Sequence, residues 1–243
     1  MTARQTDSLT SCCVGVYLPQ RPTMIIASIN HKGGTGKSIV AQNLAVCFAH
    51  NDYKVCIVDA NSEQHSSVDW FNIRPESLPR IPAFANANAR SLRKTVEDLY
   101  NNEGYEVVII DSPPSLSRIA EEILLVSHLV VIPISTKGAN DVWSTEQMAD
   151  KIQEMTKEKG REIPSYILLT HHKPKVNLHI EIAEALTHHS ESYNIPILKT
   201  SLNDRVGYGK ANRDGKGVYE ISAPKAKAEI IDLYNEIHSF LAD

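Results

Sequence analysis

Ile25-Ile26-Ala27-Ser28-Ile29-Asn30-His31-Lys32-Gly33-Gly34-Thr35-Gly36-Lys37-Ser38 runs from an apolar, strand-like stretch into a glycine-rich turn that closes on Lys-Ser. A helical pattern follows it. Gly33, Gly34, Thr35 and Gly36 let main-chain N–H groups curl around a polyphosphate. Lys37 brings a point charge to the β- and γ-phosphate oxygens, and the Ser38 hydroxyl is placed to ligate Mg²⁺. The helix that opens here adds the positive end of its dipole. A nucleoside triphosphate is therefore the first ligand to expect, with residues 33–38 as its cradle.

One position departs from the ordinary phosphate loop. Such a loop has a first glycine, four free residues and then Gly-Lys-Ser/Thr; here His31 stands in the glycine's place and a lysine, Lys32, is the first of the four. Lys32 is either a solvated loop lysine or a second cationic contact to phosphate. A lysine at that end of the loop is badly placed to reach its own nucleotide, but it could reach one held by a partner subunit.

Lys32-Gly33-Gly34-Thr35-Gly36-Lys37-Ser38 resembles the deviant Walker A box of the ParA/MinD ATPases, whose extra lysine crosses the dimer interface to the partner's ATP. Three further blocks follow in the order of the partition (ParA) branch: Val55-Cys56-Ile57-Val58-Asp59-Ala60, Val107-Val108-Ile109-Ile110-Asp111-Ser112-Pro113-Pro114 and Leu129-Val130-Val131-Ile132-Pro133-Ile134. The resemblance thus runs from Met24 to the C-terminus, and it is greatest to the small plasmid-partition ATPases without an N-terminal DNA-binding domain. It implies a P-loop NTPase fold of the SIMIBI type, ATP and Mg²⁺ as cofactors, and a homodimer in the ATP state. It also implies a ParB-like, ParG-like or other small adaptor that stimulates hydrolysis, and non-specific binding to nucleoid DNA in the cytoplasm. Relatives of similar build position carboxysomes or other large protein cargo, so the cargo stays open.

The residue pattern supports the same fold class. Short apolar runs at 25–29, 55–58, 107–110, 129–134, 165–170 and 197–198 alternate with helical patterns, including 38–50 and 92–100. Continuous apolar strands of this kind are buried on both faces, as in parallel sheets. An α/β, doubly wound, mostly parallel sheet flanked by helices is expected, with ligands at the carboxyl ends of its strands. Residues 1–23 read as a flexible leader and 24–243 as a single ATPase domain. Residues 68–90, rich in Pro and Asn, carry little pattern.

Two of the blocks end in acids. Asp111 closes an apolar run, where a carboxylate either holds the hydration shell of Mg²⁺ while Ser38 ligates the ion, or caps the next turn. Pro113 and Pro114 stiffen the loop behind it, which suits a switch sensing the γ-phosphate. The block ending at Asp59 departs from the family. ParA proteins usually read Asp-x-Asp-Pro-Gln there, the second Asp orienting the attacking water. Asp59-Ala60-Asn61-Ser62-Glu63-Gln64 has Asn61 at the second acid, Ser62 at the proline and one apparent insertion. Asparagine accepts no proton, so slow intrinsic hydrolysis is expected. Phosphoryl transfer rests mainly on positioning and charge neutralisation, so Asn61 need not abolish turnover, and Glu63 is an alternative acid. The resemblance thus assigns Lys32, Lys37, Asp59, Asn61 and Asp111 to catalysis and Ser38 and Asp111 to the metal.

With 42% hydrophobic and 22% charged residues, the 243-residue chain can bury a full core, which excludes global disorder. A net charge of -4 gives no overall attraction to nucleic acid, so any DNA contact must be local. Lys173, Lys175, Lys199, Arg205, Lys210, Arg213, Lys216, Lys225 and Lys227 crowd into segments with few acids, as either a solvated face or a phosphate-binding one. Residues 200–208, read as a loop, resemble the ParA segment between the adenine pocket and the DNA-binding surface. Lys175 and Arg205 match positions near which family members place DNA-contacting cations. Such contacts would be sequence-independent. Residues 135–143 resemble a loop near the family's dimer face, where Asp141 and Trp143 are either interface residues or an ordinary helix cap and a core tryptophan. The C-terminal stretch 228–241 is amphipathic but acidic, so anionic lipid would repel it, and no membrane partner of the MinD kind is expected. The cysteines and the His171-His172 and His188-His189 pairs lack metal-ligand spacing.

Overall fold

The computed structural model describes residues 23–138 and 140–240, with the side chains of residues 140–142 left aside. The expected leader lies outside the described residues except for Thr23, whose hydroxyl meets the Tyr100 hydroxyl at 2.6 Å.

Seven strands form one sheet: β1 (Met24–Ser28), β2 (Val55–Asp59), β3 (Ala83–Ala85), β4 (Val107–Asp111), β5 (Leu129–Ser135), β6 (Ser165–His172) and β7 (Ile197–Asn203). Their order is β3-β2-β4-β1-β5-β6-β7, and every pairing is parallel. The reversal of chain direction around β1 makes the sheet doubly wound, as the run pattern implies. β1, β2 and β4 are buried at every residue because helices cover both faces.

On one face lie α1 (Lys37–His50), α2 (Ser66–Asn72), α7 (Val206–Arg213) and α8 (Pro224–Ser239); on the other lie α3 (Ala89–Asn101), α4 (Arg118–Val126), α5 (Asn140–Lys159) and α6 (Asn177–Tyr193). α1 is more enclosed than a one-sided apolar stripe suggests. Residues 40–48 are all buried, since the sheet takes one side and α8 the other. Phe48 packs edge-on against Tyr53 and Tyr234, with ring centroids 5.3 and 5.0 Å apart. Polar residues on this helix therefore need internal partners.

The weakly patterned region contains two elements that periodicity does not show. α2 begins at Ser66, and its one large apolar anchor, Trp70, is 2% exposed and donates its indole N–H to the Lys216 carbonyl. β3 is three residues long and half-buried at a sheet edge, too short for any alternation to register. The 200–208 segment is likewise not a loop. Its first half is the end of β7, and its second half opens α7. β7 is irregular against β6, and the main-chain N–H groups of Lys199 and Thr200 donate to the Glu236 carboxylate of α8 at 2.7 and 3.0 Å. A side chain far away in sequence thus supplies the acceptors for this edge. Trp143 is 64% exposed, which rules out a core role; the side chain of Asp141 lies outside the described residues.

Candidate nucleotide-binding site

Strand register assembles the site. Ser28 of β1 lies opposite Asp111 of β4, and Asp111 lies opposite Asp59 of β2. Two carboxylates and a hydroxyl therefore stand at neighbouring carboxyl ends, facing the glycine-rich turn between β1 and α1. Gly34 and Gly36 adopt φ of 74° and 93°, which side chains disfavour, and no heavy atom lies within 4 Å of where a Cβ would stand on Gly33 or Gly34. The turn is an open cradle of main-chain N–H groups at the start of a 14-residue helix.

Polar contacts tie the cradle down. Asn30 donates to the Pro133 carbonyl of β5 at 2.9 Å and accepts the Lys32 N–H at 3.1 Å. The Thr170 hydroxyl of β6 donates to the Thr35 carbonyl at 2.8 Å. The Ser28 hydroxyl donates to the Lys37 carbonyl at 3.0 Å. The Lys37 ammonium folds into the turn and donates to the Lys32 carbonyl at 2.8 Å. Lys37 is 7% exposed; burial lowers its pKa to about 8, against an opposing pull from Asp111. The Lys32 side chain is half-buried in the same turn. The two lysines of the loop thus differ in burial, with Lys37 enclosed in the cradle and Lys32 partly exposed.

Asp111 is fully buried, and burial followed by repulsion from Asp59 raises its pKa to about 7, while Ser67, Ser38 and Lys37 pull it down. Its Oδ2 accepts the Ser67 hydroxyl at 2.8 Å. Its Oδ1 is buried without a hydrogen-bond partner among the described residues. A buried carboxylate oxygen with nothing to accept, beside the Ser38 hydroxyl, is an all-oxygen donor set of the kind a hard divalent cation takes. Mg²⁺ therefore fits between Ser38 and Asp111.

Asp59 is occupied differently. It accepts the N–H groups of Asn61 (3.1 Å), Ser67 (2.8 Å) and Val68 (3.2 Å), fixing the following turn and the start of α2. Burial raises its pKa, and those three bonds oppose the rise. Asn61 Oδ1 accepts the N–H groups of Glu63 and Gln64 at 3.1 and 3.3 Å, so its amide holds the turn together, and Glu63 is exposed. This turn and Pro113 and Pro114 line a cavity of about 330 Å³.

A second cavity of about 270 Å³ opens beside the cradle, between Gly36, Ile39, Val40, Thr170, Leu202 and Tyr208. Its walls are largely apolar, and its position next to the phosphate cradle suits a nucleobase. Arg205 stands at its edge and is committed within the fold: Nε and an NH2 nitrogen each lie 2.6 Å from Glu229 Oε1. On its outer side Lys173, Arg205, Lys210 and Arg213 line an open groove. Lys175 is exposed in the turn before α6 and does not line this groove.

Three residues that tie the site together carry no signal in the sequence: Asn30, Ser67 and Thr170. Each works by a contact between elements distant in the chain, and none belongs to a spaced motif.

A buried cradle lysine, a helix N-terminus and an oxygen-lined cation site at the strand ends define a P-loop nucleotide-binding protein. Residues 26–218 match the family described as CbiA, the CobQ/CobB/MinD/ParA nucleotide binding domain. The chain belongs to this family, whose ParA/MinD members are P-loop ATPases. It is 24% identical to the Maintenance of carboxysome distribution protein A of Halothiobacillus neapolitanus, covering 87% of this chain and 95% of that one. It is 25% identical to the sporulation initiation inhibitor protein Soj of Bacillus subtilis, covering 88% and 97%. Among solved structures, the septum site-determining protein MinD of Pyrococcus horikoshii in complex with Mg-ADP superposes with a TM-score of 0.67 at 17% identity, covering 88% and 96%.

Proposed function

We propose that this protein is a ParA-type positioning ATPase: ATP closes a homodimer, the dimer holds nucleoid DNA without reading sequence, and a small adaptor on the cargo stimulates hydrolysis and releases it. Plasmid or chromosome partition is the reading preferred for the cargo, with a carboxysome or another large protein body as the alternative. The observation that carries the proposal is the contrast between Lys37, buried in its own cradle, and Lys32, partly exposed in the same turn. In this reading one lysine serves the phosphates of its own subunit and the other reaches those of a second.

Within a subunit, the cradle N–H groups and Lys37 bind and orient the phosphates. Ser38 and Asp111 would hold Mg²⁺, which when bound would supply neutralisation of the phosphate charge. Asp59 fixes the turn carrying Asn61 and Glu63, and Asn61 or Glu63 orients the attacking water. With asparagine at position 61, basal turnover is slow.

Cation placement supports DNA as the surface bound. Lys173, Lys210 and Arg213 with Arg205 make one groove on an otherwise acidic chain, and Lys175 adds a charge nearby. The C-terminal helix speaks against a lipid surface: α8 buries Ile230, Leu233 and Ile237 in the core and spends Glu229 and Glu236 on β7 and Arg205. A cytoplasmic, nucleoid-associated location follows from this reading.

The test measures assembly and binding together, with ATP and with ADP, against unrelated DNA duplexes and anionic vesicles. ATP-dependent dimers that bind every duplex alike are expected. Preference for vesicles would move the protein to the membrane-surface class, and binding indifferent to nucleotide would overturn the switch.

A further inference from the structure

Gln42 is a polar residue in the enclosed middle of α1, 1% exposed, and its amide is fully used. Its Oε1 accepts Asn212 Nδ2 of α7 at 2.7 Å. Its Nε2 donates to the Ser66 carbonyl at 3.2 Å and faces the Ser67 hydroxyl oxygen at 3.4 Å. The orientation of the amide is dictated by chemistry, because a carbonyl only accepts and the nitrogen must therefore face Ser66. With an N–H aimed at its lone pair, Ser67 Oγ sends its own proton the other way, to Asp111 Oδ2 at 2.8 Å. The hydrogen bonds thus all run in one direction, from Asn212 through Gln42 and Ser67 to Asp111.

We propose that Gln42 and Asn212 are positioning residues for the cation site. Through Ser67 they hold the donor proton on Asp111 Oδ2 and leave the unpartnered Oδ1 to Mg²⁺ and its hydration shell. The inference rests on reading Ser38 and Asp111 as that site. Asn212 lies on α7 between Lys210 and Arg213 of the basic groove, so the end of the chain that sets its direction sits on a different surface from the nucleotide. Outer partners of this kind orient ligands and tune affinity without touching the ion.

The direction of the chain is the testable property. In Asn212→Asp the new side chain only accepts, so Gln42 can donate to it only by turning its amide, which sets its oxygen against the Ser66 carbonyl and draws the Ser67 proton away from Asp111. Asn212→Ala removes one bond without reversing the rest. Gln42→Glu, close in shape to the original, imposes the same reversal from the middle of the chain and serves if Asn212→Asp does not fold.

The experiment titrates Mg²⁺ against binding of a fluorescent ATP analogue, with thermal unfolding and the side-chain amide resonance of Gln42 (Asn212 variants) or Asn212 (Gln42→Glu) recorded in nucleotide-free protein. The reversing variants should need about 10-fold more Mg²⁺ for half-maximal binding, the lower end of the usual effect of such partners. They should shift that amide resonance and need more Mg²⁺ than Asn212→Ala, which should stay nearer to wild type, even where the opposed oxygens at Ser66 lower their melting temperature. Unchanged Mg²⁺ dependence in the reversing variants, or equal changes in Asp and Ala variants, would overturn the positioning role while leaving the nucleotide site intact. Wild-type binding that ignores Mg²⁺ would overturn the cation site itself, and the inference with it.

Discussion

The Lys37 ammonium rests on the main-chain carbonyl of Lys32, 2.8 Å away, so the two lysines of the loop meet through backbone while their side chains occupy different places. Removing each should therefore have different consequences. Lys37→Ala should abolish ATP binding, since the charge inside the cradle is lost. Lys32→Ala should leave affinity within about 1.4 kcal/mol, or tenfold, and remove ATP-dependent dimerisation. Calorimetry beside a sizing measurement separates the two, and equal loss of affinity in both variants would place Lys32 on its own subunit's nucleotide.

Asn61 uses its side-chain oxygen to hold two N–H groups of the turn. An aspartate keeps both bonds, so Asn61→Asp should fold normally and add the carboxylate that the family usually carries. Basal ATPase should rise, by up to about 100-fold if the new group reaches the low end of acid–base catalysis. If Glu63 already fills that role, Glu63→Ala will suppress turnover and Asn61→Asp will change little. Turnover untouched by either substitution means that other residues place the water.

DNA binding should be steeply salt-dependent, because contacts to phosphate release counterions. Lys210→Glu and Arg213→Glu lie on the groove and are exposed, so each should lower the slope of log affinity against log salt by about 1 for every sequence. Arg205→Glu should also weaken binding, but it sets an acid against Glu229 and will cost stability, so its effect on DNA needs an unfolding measurement beside it. Lys175→Glu tests the remaining expected contact. Undiminished affinity in all four would remove this face from the DNA surface.

Arg74 and Glu220 form a buried two-point ion pair, at 3.0 and 2.6 Å, with side chains 3% and 1% exposed. Glu220 also accepts the Gly217 N–H and meets His50. Arg74→Met leaves that carboxylate short of its main partner and should cost about 3–5 kcal/mol, read from a urea midpoint. Burial pushes the Glu220 carboxyl up, but Arg74, the Gly217 N–H and His50 outweigh it and hold it below its ordinary value of 4.5. A depressed carboxylate contributes fully above its unfolded pKa and is lost as pH falls through the folded one. The gap between wild type and Arg74→Met should therefore be widest where Glu220 is ionised in both proteins and close as pH falls, first as the carboxyl deprived of Arg74 takes up its proton; a gap that widens in acid would contradict this assignment.

Local chemistry wrote the cradle, the parallel strands and the ligand class into the sequence. Glycines that must adopt positive φ, a lysine and hydroxyl at fixed spacing, and apolar runs closing on acids are short-range requirements. The core strands follow their apolar runs to within a residue or two, and Lys37, Ser38, Asp59 and Asp111 lie together at the strand ends. Tertiary contact decided the rest. α2 and β3 arise in a stretch without periodicity, because Trp70 and a sheet edge stabilise them from outside. Arg205 reads as a free cation until Glu229, on the last helix, claims it. The direction of the bonds reaching Asp111 is set by the Ser66 carbonyl together with Asn212, about a hundred residues further along the chain. Spacing encodes what neighbours along the backbone must do, whereas partners brought together only by folding leave no mark on it.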